Sequence, residues 1–263
     1  MSCSNESNHI FQNYNSESGI VFENNLDLTY DLNPYTYRNF YNGGGVAVGD
    51  LNNDGLPEIF FIGNLVDNKL YLNKGDFQFK DITLSAGVAS PNVWSTGVSF
   101  ADVNGDGYLD IYVSKSGTPT GSNRNNELFI NNGDLTFIES AEEWGINDLG
   151  LSNHSVFFDY DRDGDLDLYL LNNSFSPVGG FDMVDGMREQ RDPDGGNKLY
   201  RNDGNTFTDV SAEAGIYGSK IGFGLGVSIG DLNGDMWQDI YVSNDFLDRK
   251  STRLNSSHQI ISY

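Results

Sequence analysis

Gly97-Val98-Ser99-Phe100-Ala101-Asp102-Val103-Asn104-Gly105-Asp106-Gly107-Tyr108-Leu109-Asp110-Ile111-Tyr112-Val113 decides the reading of this chain. An apolar run enters a loop that places acid or amide side chains at its first, third, fifth and ninth positions. A second apolar run, rich in aromatic and β-branched residues, leaves it. Such runs bounded by Gly, Asn and Asp read as strands. The pattern occurs four times. The first copy is Gly45 to Ile62, the third runs from Ser155 to Leu170, and the fourth from Gly226 to Val242.

A second block follows three of these copies: Asn68-Lys69-Leu70-Tyr71-Leu72-Asn73-Lys74-Gly75, Asn126-Glu127-Leu128-Phe129-Ile130-Asn131-Asn132-Gly133 and Asn197-Lys198-Leu199-Tyr200-Arg201-Asn202-Asp203-Gly204. Its Asn-Gly, Asp-Gly and Lys-Gly steps between short apolar runs predict hairpins. Each unit therefore holds about four short strands. The acidic loops begin at Asp50, Asp102, Asp159 and Asp231, 52, 57 and 72 residues apart. Four-stranded units at this kind of spacing predict an all-β fold, a partial β-propeller of three complete blades and the start of a fourth. The widest gap reflects an insertion, Ser174 to Gly196, placed on a loop between strands, either at a binding face or as a tolerated excursion.

Alternating oxygen side chains in a tight loop are calcium chemistry, since that ion takes six to eight oxygen ligands. The first loop offers Asp50, Asn52, Asp54 and Glu58 with the Leu56 carbonyl. The second offers Asp102, Asn104, Asp106 and Asp110 with the Tyr108 carbonyl. The third offers Asp159, Asp161, Asp163 and Asp167 with the carbonyl of Asp165. The fourth offers Asp231, Asn233, Asp235 and Asp239 with the Trp237 carbonyl, but carries Met236 where the others have glycine. Metal-free Asx turns are the bland alternative. An EF-hand is excluded because the residues after position nine are strand sequences rather than a helix ending in Glu at position twelve.

These repeats resemble the FG-GAP and VCBS family of calcium-loop repeats, as in integrin α-chain propellers. More closely they resemble the bacterial surface proteins and the cartilage-acidic-protein-like group, whose members often carry an ASPIC/UnbV segment. The resemblance covers about residues 40 to 247. Gly-Val-Ala-Val-Gly and its counterparts stand where the name motif would have Phe-Gly and Gly-Ala-Pro. It implies a propeller of about seven blades, calcium in the loops and an extracellular, cell-surface or periplasmic role such as adhesion.

The chain has 263 residues, 38 acidic against 15 basic side chains, a formal charge of -23, and one cysteine. That balance argues against nucleic-acid binding. One cysteine excludes a disulfide framework and paired-cysteine zinc sites. The segment Met1-Ser2-Cys3-Ser4-Asn5 resembles the end of a bacterial lipoprotein signal, with Cys3 the lipidated residue and membrane attachment. An ordinary free cysteine in an unstructured start is an equal alternative. At the other end, Asp248 to His258 matches, residue by residue, one reading frame of a sequencing-library adapter. The expected organisation is therefore 1–44 as tether and lead-in, 45–247 as the repeat array, and 248–263 as an adapter-derived tail.

The function expected is a non-enzymatic, calcium-binding surface module with a protein or glycan ligand. Trp94, Trp144 and Tyr217 are candidates for stacking on sugars, or else pack between blades. The alternatives are the propeller scaffold of a polysaccharide-acting enzyme and a structural stalk. The histidines are His9, His154 and His258, and no G-x-S-x-G or H-E-x-x-H motif is present.

Overall fold

The computed structural model describes residues 13–14, 17–37, 39–117, 121, 123–175, 186, 189–244 and the backbone of 259–262. Cys3, the segment 248–258 and much of the 174–196 insertion lie outside these residues. Three antiparallel four-stranded sheets follow one another in the chain. The first is β1 (Gly45–Gly49), β2 (Glu58–Ile62), β3 (Lys69–Asn73) and β4 (Phe79–Asp81). The second is β5 (Trp94–Ala101), β6 (Asp110–Ser116), β7 (Glu127–Asn131) and β8 (Phe137–Glu139), and the third β9 (Leu151–Phe158), β10 (Asp167–Asn173), β11 (Lys198–Asn202) and β12 (Phe207–Asp209). A fourth begins with β13 (Gly224–Gly230) and β14 (Asp239–Asn244), to which β15 (Gln259–Ser262) adds in parallel. The chain thus forms three blades and the start of a fourth, as the repeat predicts. The backbone of the proposed adapter tail is drawn onto the open edge of β14.

The core lies between blades rather than within one. Phe60, Ile62 and Leu70 of the first blade pack with Val98, Ile111, Val113 and Phe129 of the second. Tyr112 and Leu128 on the second blade's other face meet Leu168, Leu170 and Tyr200 of the third. Tyr169, Leu171 and Leu199 meet Ile240 and Val242 of the fourth. This is why β6 and β10 are buried along their whole length, with residues covered on both faces. Trp144, which the sequence left open as a sugar platform, sits in the second of these interfaces, and Trp94 packs on Tyr37 and Phe40. Both indoles are buried and are therefore packing residues; Tyr217 is half-buried.

The first strands β1, β5, β9 and β13 lie side by side as the inner wall of an open arc. Gly97 makes the close approach possible, since a Cβ there would stand 2.5 Å from the Asn153 carbonyl oxygen of the next blade. The strands β5, β9 and β13 start two to four residues before the apolar repeat does. Each carries one extra residue before the repeat: the registers shift across Thr96, Asn153 and Leu225. The bulged residues precede the apolar runs that mark these strands in the sequence.

Two further features went unread in the sequence. After the fourth strand of each complete blade comes one helical turn, α1 (Thr83–Ala86), α2 (Ala141–Trp144) and an equivalent turn at 211–215. Each is followed by a buried Val88, Ile146 or Ile216. The lead-in, expected to be partly a tether, packs along the first blade from Ser18 onward. Ser18 accepts a bond from the Phe79 N–H (2.7 Å), Tyr71 donates to the Val21 carbonyl, and Phe22 stacks on Phe61 with centroids 5.0 Å apart. It covers part of the face that in later blades meets a preceding blade.

Candidate metal centres

Each acidic loop joins the end of a first strand to the start of a second. Its conformation comes from its own side chains. In the second loop Asp102 accepts from the N–H groups of Asp106 (3.1 Å) and Gly107 (2.9 Å), Asn104 from Asp106 (3.0 Å), and Asp106 from Tyr108 (2.9 Å). The first loop repeats this with Asp50, Asn52 and Asp54, the last taking the N–H of Leu56 (2.8 Å). The fourth does so with Asp231, Asn233 and Asp235, which takes the N–H of Trp237 (2.8 Å). Side-chain oxygens bonded to N–H groups two to five residues on hold the turn and turn the carboxylates inward.

The third loop differs chemically. Asp161 stands where the others have an asparagine, whose amide donates to the fifth-position carboxylate at 2.9–3.1 Å. A carboxylate has no proton to donate. Here Asp159 Oδ1 and Asp161 Oδ1 are buried with no hydrogen-bond partner, and oxygens of Asp159, Asp161 and Asp167 lie within 4.8 Å of one another. Asp163 accepts from the N–H of Asp165 (3.0 Å). Burial, followed by the charges of Asp163 and Asp159, pushes the Asp161 carboxyl up. Arg201 acts on Asp161 only through its charge and is itself paired with Asp203 (2.8 Å), so the orphaned, converging oxygens fit a hard, oxygen-seeking metal ion.

The ninth-position acids are set apart from the rest. Glu58, Asp110, Asp167 and Asp239 are at most 1% exposed, whereas the loop tips are open to water. Asp110 accepts from the N–H of Val103 (3.0 Å) in its own loop and of Asn131 (2.8 Å) on β7. Asp167 does the same with Tyr160 (2.7 Å) and Asn202 (2.9 Å), and Glu58 with Leu51 (2.9 Å) and Asn73 (3.4 Å). Two N–H bonds favour a carboxylate, but burial and the neighbouring acids outweigh them. Asp110 and Asp167 are each raised to about 6, and Glu58 is raised as well.

The second asparagine of the hairpin block completes the arrangement. Asn131 donates its amide to the Leu109 carbonyl of its own loop (3.0 Å) and to the Leu51 carbonyl of the preceding blade's loop (2.7 Å). Asn202 likewise reaches Leu166 (3.3 Å) and, one blade back, Val103 (3.0 Å). At the tips, Asn53 donates to the Gly107 carbonyl (2.9 Å), and the Arg162 guanidinium lies 3.8 Å over the Trp237 ring. The loops therefore form one linked row along one end of the blades. Nothing in a single repeat reveals these contacts, because the partner lies a whole blade away.

Met236 adopts φ 69° at the position filled elsewhere by Gly55, Gly107 and Gly164, so the fourth loop keeps the turn at the cost of a left-handed methionine. His154 lies within β9, and burial lowers its pKa. It lines a cleft of about 540 Å3 with Ser99, Asp102 and Ser155, whose hydroxyl is 3.0 Å from that of Ser99.

Residues 50–113 and 186–242 match the FG-GAP-like repeat family. The chain is 28% identical over 234 residues to cartilage acidic protein 1 of Xenopus tropicalis, an alignment covering 88% of this chain and 32% of that protein. Cartilage acidic protein 1 of Homo sapiens is 42% identical over 72 residues, 27% of this chain and 11% of the relative. The mouse protein of the same name is 39% identical over 69 residues, 26% and 11% of the two chains. The chain thus spans about a third or less of the relatives it matches. Among the described residues no helix is long and apolar enough to cross a membrane.

Proposed function

We propose that this chain is a calcium-stabilised, non-enzymatic binding module that works outside the cell, with a surface protein or glycan as its ligand. The observation that carries the reading is the third loop, where two buried carboxylate oxygens lack any partner and three acids converge within 4.8 Å. Oxygen-only donors in short turns suit calcium better than magnesium, which demands a tighter octahedral shell, or zinc, which prefers nitrogen and sulfur. Asp159, Asp161, Asp163 and Asp167 would hold the ion there, and Asp50, Asp102 and Asp231 head the equivalent sets. Extracellular modules bind calcium at about 10⁻⁴–10⁻³ M, which matches the setting expected from FG-GAP-like repeats and the similarity to cartilage acidic protein 1.

The ion's part is structural. It supplies the positive charge that the loop carboxylates lack, while the side chains orient the turn and the ninth-position acids anchor it to the third strand. At calcium a hundredfold above its dissociation constant, one site adds about 2.7 kcal/mol to the folded state. Thermal melting in 10 mM calcium, 10 mM magnesium and chelator tests this. Melting should be highest in calcium, and Asp161→Asn should shrink the difference. Equal melting in calcium and chelator refutes the assignment.

A further inference from the structure

The bulges in β5, β9 and β13 fall at the same place in three successive blades, at the end of the inner strands away from the acidic loops. From Thr96 to Asp102 the inner strand spans roughly 20 Å. The skipped residues Thr96, Asn153 and Leu225 all line one pocket of about 260 Å3, closed on its other side by Tyr37, Asn39 and Asn42 of the lead-in. A bulge re-aims a side chain that the strand alternation would send elsewhere. Three bulges aimed into one cavity are more than packing requires, although Thr96 and Asn153 also tie adjacent blades. The Thr96 hydroxyl is 2.6 Å from the Ser152 carbonyl oxygen, and the Asn153 amide donates to Gly224 (2.6 Å).

The second observation is Asn39, which lines the pocket and is only 7% exposed. Asn42 presents a second amide, and the Asn153 Oδ1 remains as an acceptor while its nitrogen is engaged. Among the described residues no charged side chain lines the pocket, in a protein whose formal charge is -23. The Tyr37 ring and Leu225 supply the apolar part of the lining.

We infer that this pocket binds one residue of an uncharged carbohydrate, its hydroxyls met by the amides of Asn39, Asn42 and Asn153 and its apolar face by Tyr37 and Leu225. Paired donors and acceptors without charge match the vicinal hydroxyls of a neutral sugar. The volume suits a single ring. The inference names the glycan half of the proposed function and uses none of the acidic loops. It also moves sugar recognition from the buried Trp94 and Trp144 to the pocket at the end of the inner strands away from the acidic loops.

The test is saturation-transfer NMR and calorimetry of the whole chain with glucose, galactose, mannose and N-acetylglucosamine, with and without calcium. A mixture of uncharged hexapeptides forms a further arm. At least one sugar should saturate with a dissociation constant on the order of 1 mM. Asn42→Ala, at an exposed position, should weaken it about tenfold, as should Asn39→Ala if that variant folds. No saturable sugar binding by protein with a native melt overturns the inference. So does binding unchanged in Asn42→Ala, or binding of the peptides instead of the sugars. Equal sugar binding in calcium and chelator leaves this pocket assigned, and melting then decides the calcium reading separately.

Discussion

Asn131→Ala measures how much the link between neighbouring loops contributes. The side chain is 2% exposed and makes three bonds: its amide to Leu51 and Leu109, and its oxygen from the N–H of Gly133 (2.9 Å). Asn73 is the internal control, because it holds the same place in the first blade. It accepts from Gly75 (2.9 Å) and donates to the Pro57 carbonyl of its own loop (2.9 Å), but reaches no preceding blade. The two substitutions therefore share two bonds and differ in the one to Leu51. The shared bonds contribute about 1 kcal/mol each, so Asn73→Ala should cost about 2 kcal/mol. Losing the third bond leaves the Leu51 carbonyl buried and unpaired, a further cost of about 1–3 kcal/mol. Asn131→Ala should then cost about 3–5 kcal/mol, a large part of the 5–15 kcal/mol typical of a domain.

Urea denaturation in chelator and in calcium provides the assay, with Asn132→Ala as a surface control. Asn132 is exposed and bonds only to Thr136 there, so its loss should be within about 0.5 kcal/mol. Asn131→Ala should lower the midpoint more than Asn73→Ala in both conditions, since the clamp is made of neutral backbone contacts. A decrease in slope as well would mean that the first blade has come apart from the second. If Asn73→Ala and Asn131→Ala cost the same, the inter-blade bond contributes nothing and the reasoning fails.

Two further outcomes follow from the loops. Asp110 and Asp167 stand at about 6 in the fold against about 3.9 unfolded, so between those values the native state binds more protons. Metal-free protein should therefore lose stability as pH rises from about 4 to 6, by up to roughly 3 kcal/mol per carboxylate, and calcium should reverse the trend. Melting in chelated buffer across that window checks this; stability that rises with pH there would show the two acids to be unstrained. Met236→Gly should gain about 1 kcal/mol by removing a left-handed side chain that is 79% exposed, whereas Met236→Ala should gain nothing. Chemical denaturation reads the difference, and equal midpoints for the two variants would deny the strain.

What the sequence displayed was whatever repeats within one unit. The short apolar run Ile59-Phe60-Phe61-Ile62 marks a strand, and the fully apolar core of Leu168-Tyr169-Leu170-Leu171 marks one covered on both faces. The spacing from Asp102 to Asp110 fixes a loop whose bonds are local, so it too was legible. The contacts that needed two units were not. Asn131 is one more polar residue of a hairpin until Leu51 is placed beside it, 80 residues earlier in the chain. The bulges were hidden for a related reason: Thr96, Asn153 and Leu225 have no common chemistry, and only the register of the partner strand exposes them. The lead-in read as a tether because Asn5 to Glu17 is polar, but Phe22, Tyr37 and Phe40 further along carry the apolar surface that binds it down.

The ninth-position carboxylates give the loops a physical reason to want a cation. Asp110 and Asp167 are each buried and bonded to two backbone N–H groups, one of them on the third strand, so neither can move to water without breaking that strand away from its loop. At neutral pH each of these two is ionised at a cost, with more acids of its own loop alongside it. Protonation would relieve that cost but requires a lower pH, and a bonded basic side chain would relieve it too, but among the described residues none is bonded to Asp110 or Asp167. A metal ion at the loop mouth would supply positive charge there. On the proposed reading, calcium then acts on the network that the clamps extend from blade to blade: a cation in one loop steadies Asp110, Asp110 fixes the N–H of Asn131, and the Asn131 amide holds Leu51 in the loop before it.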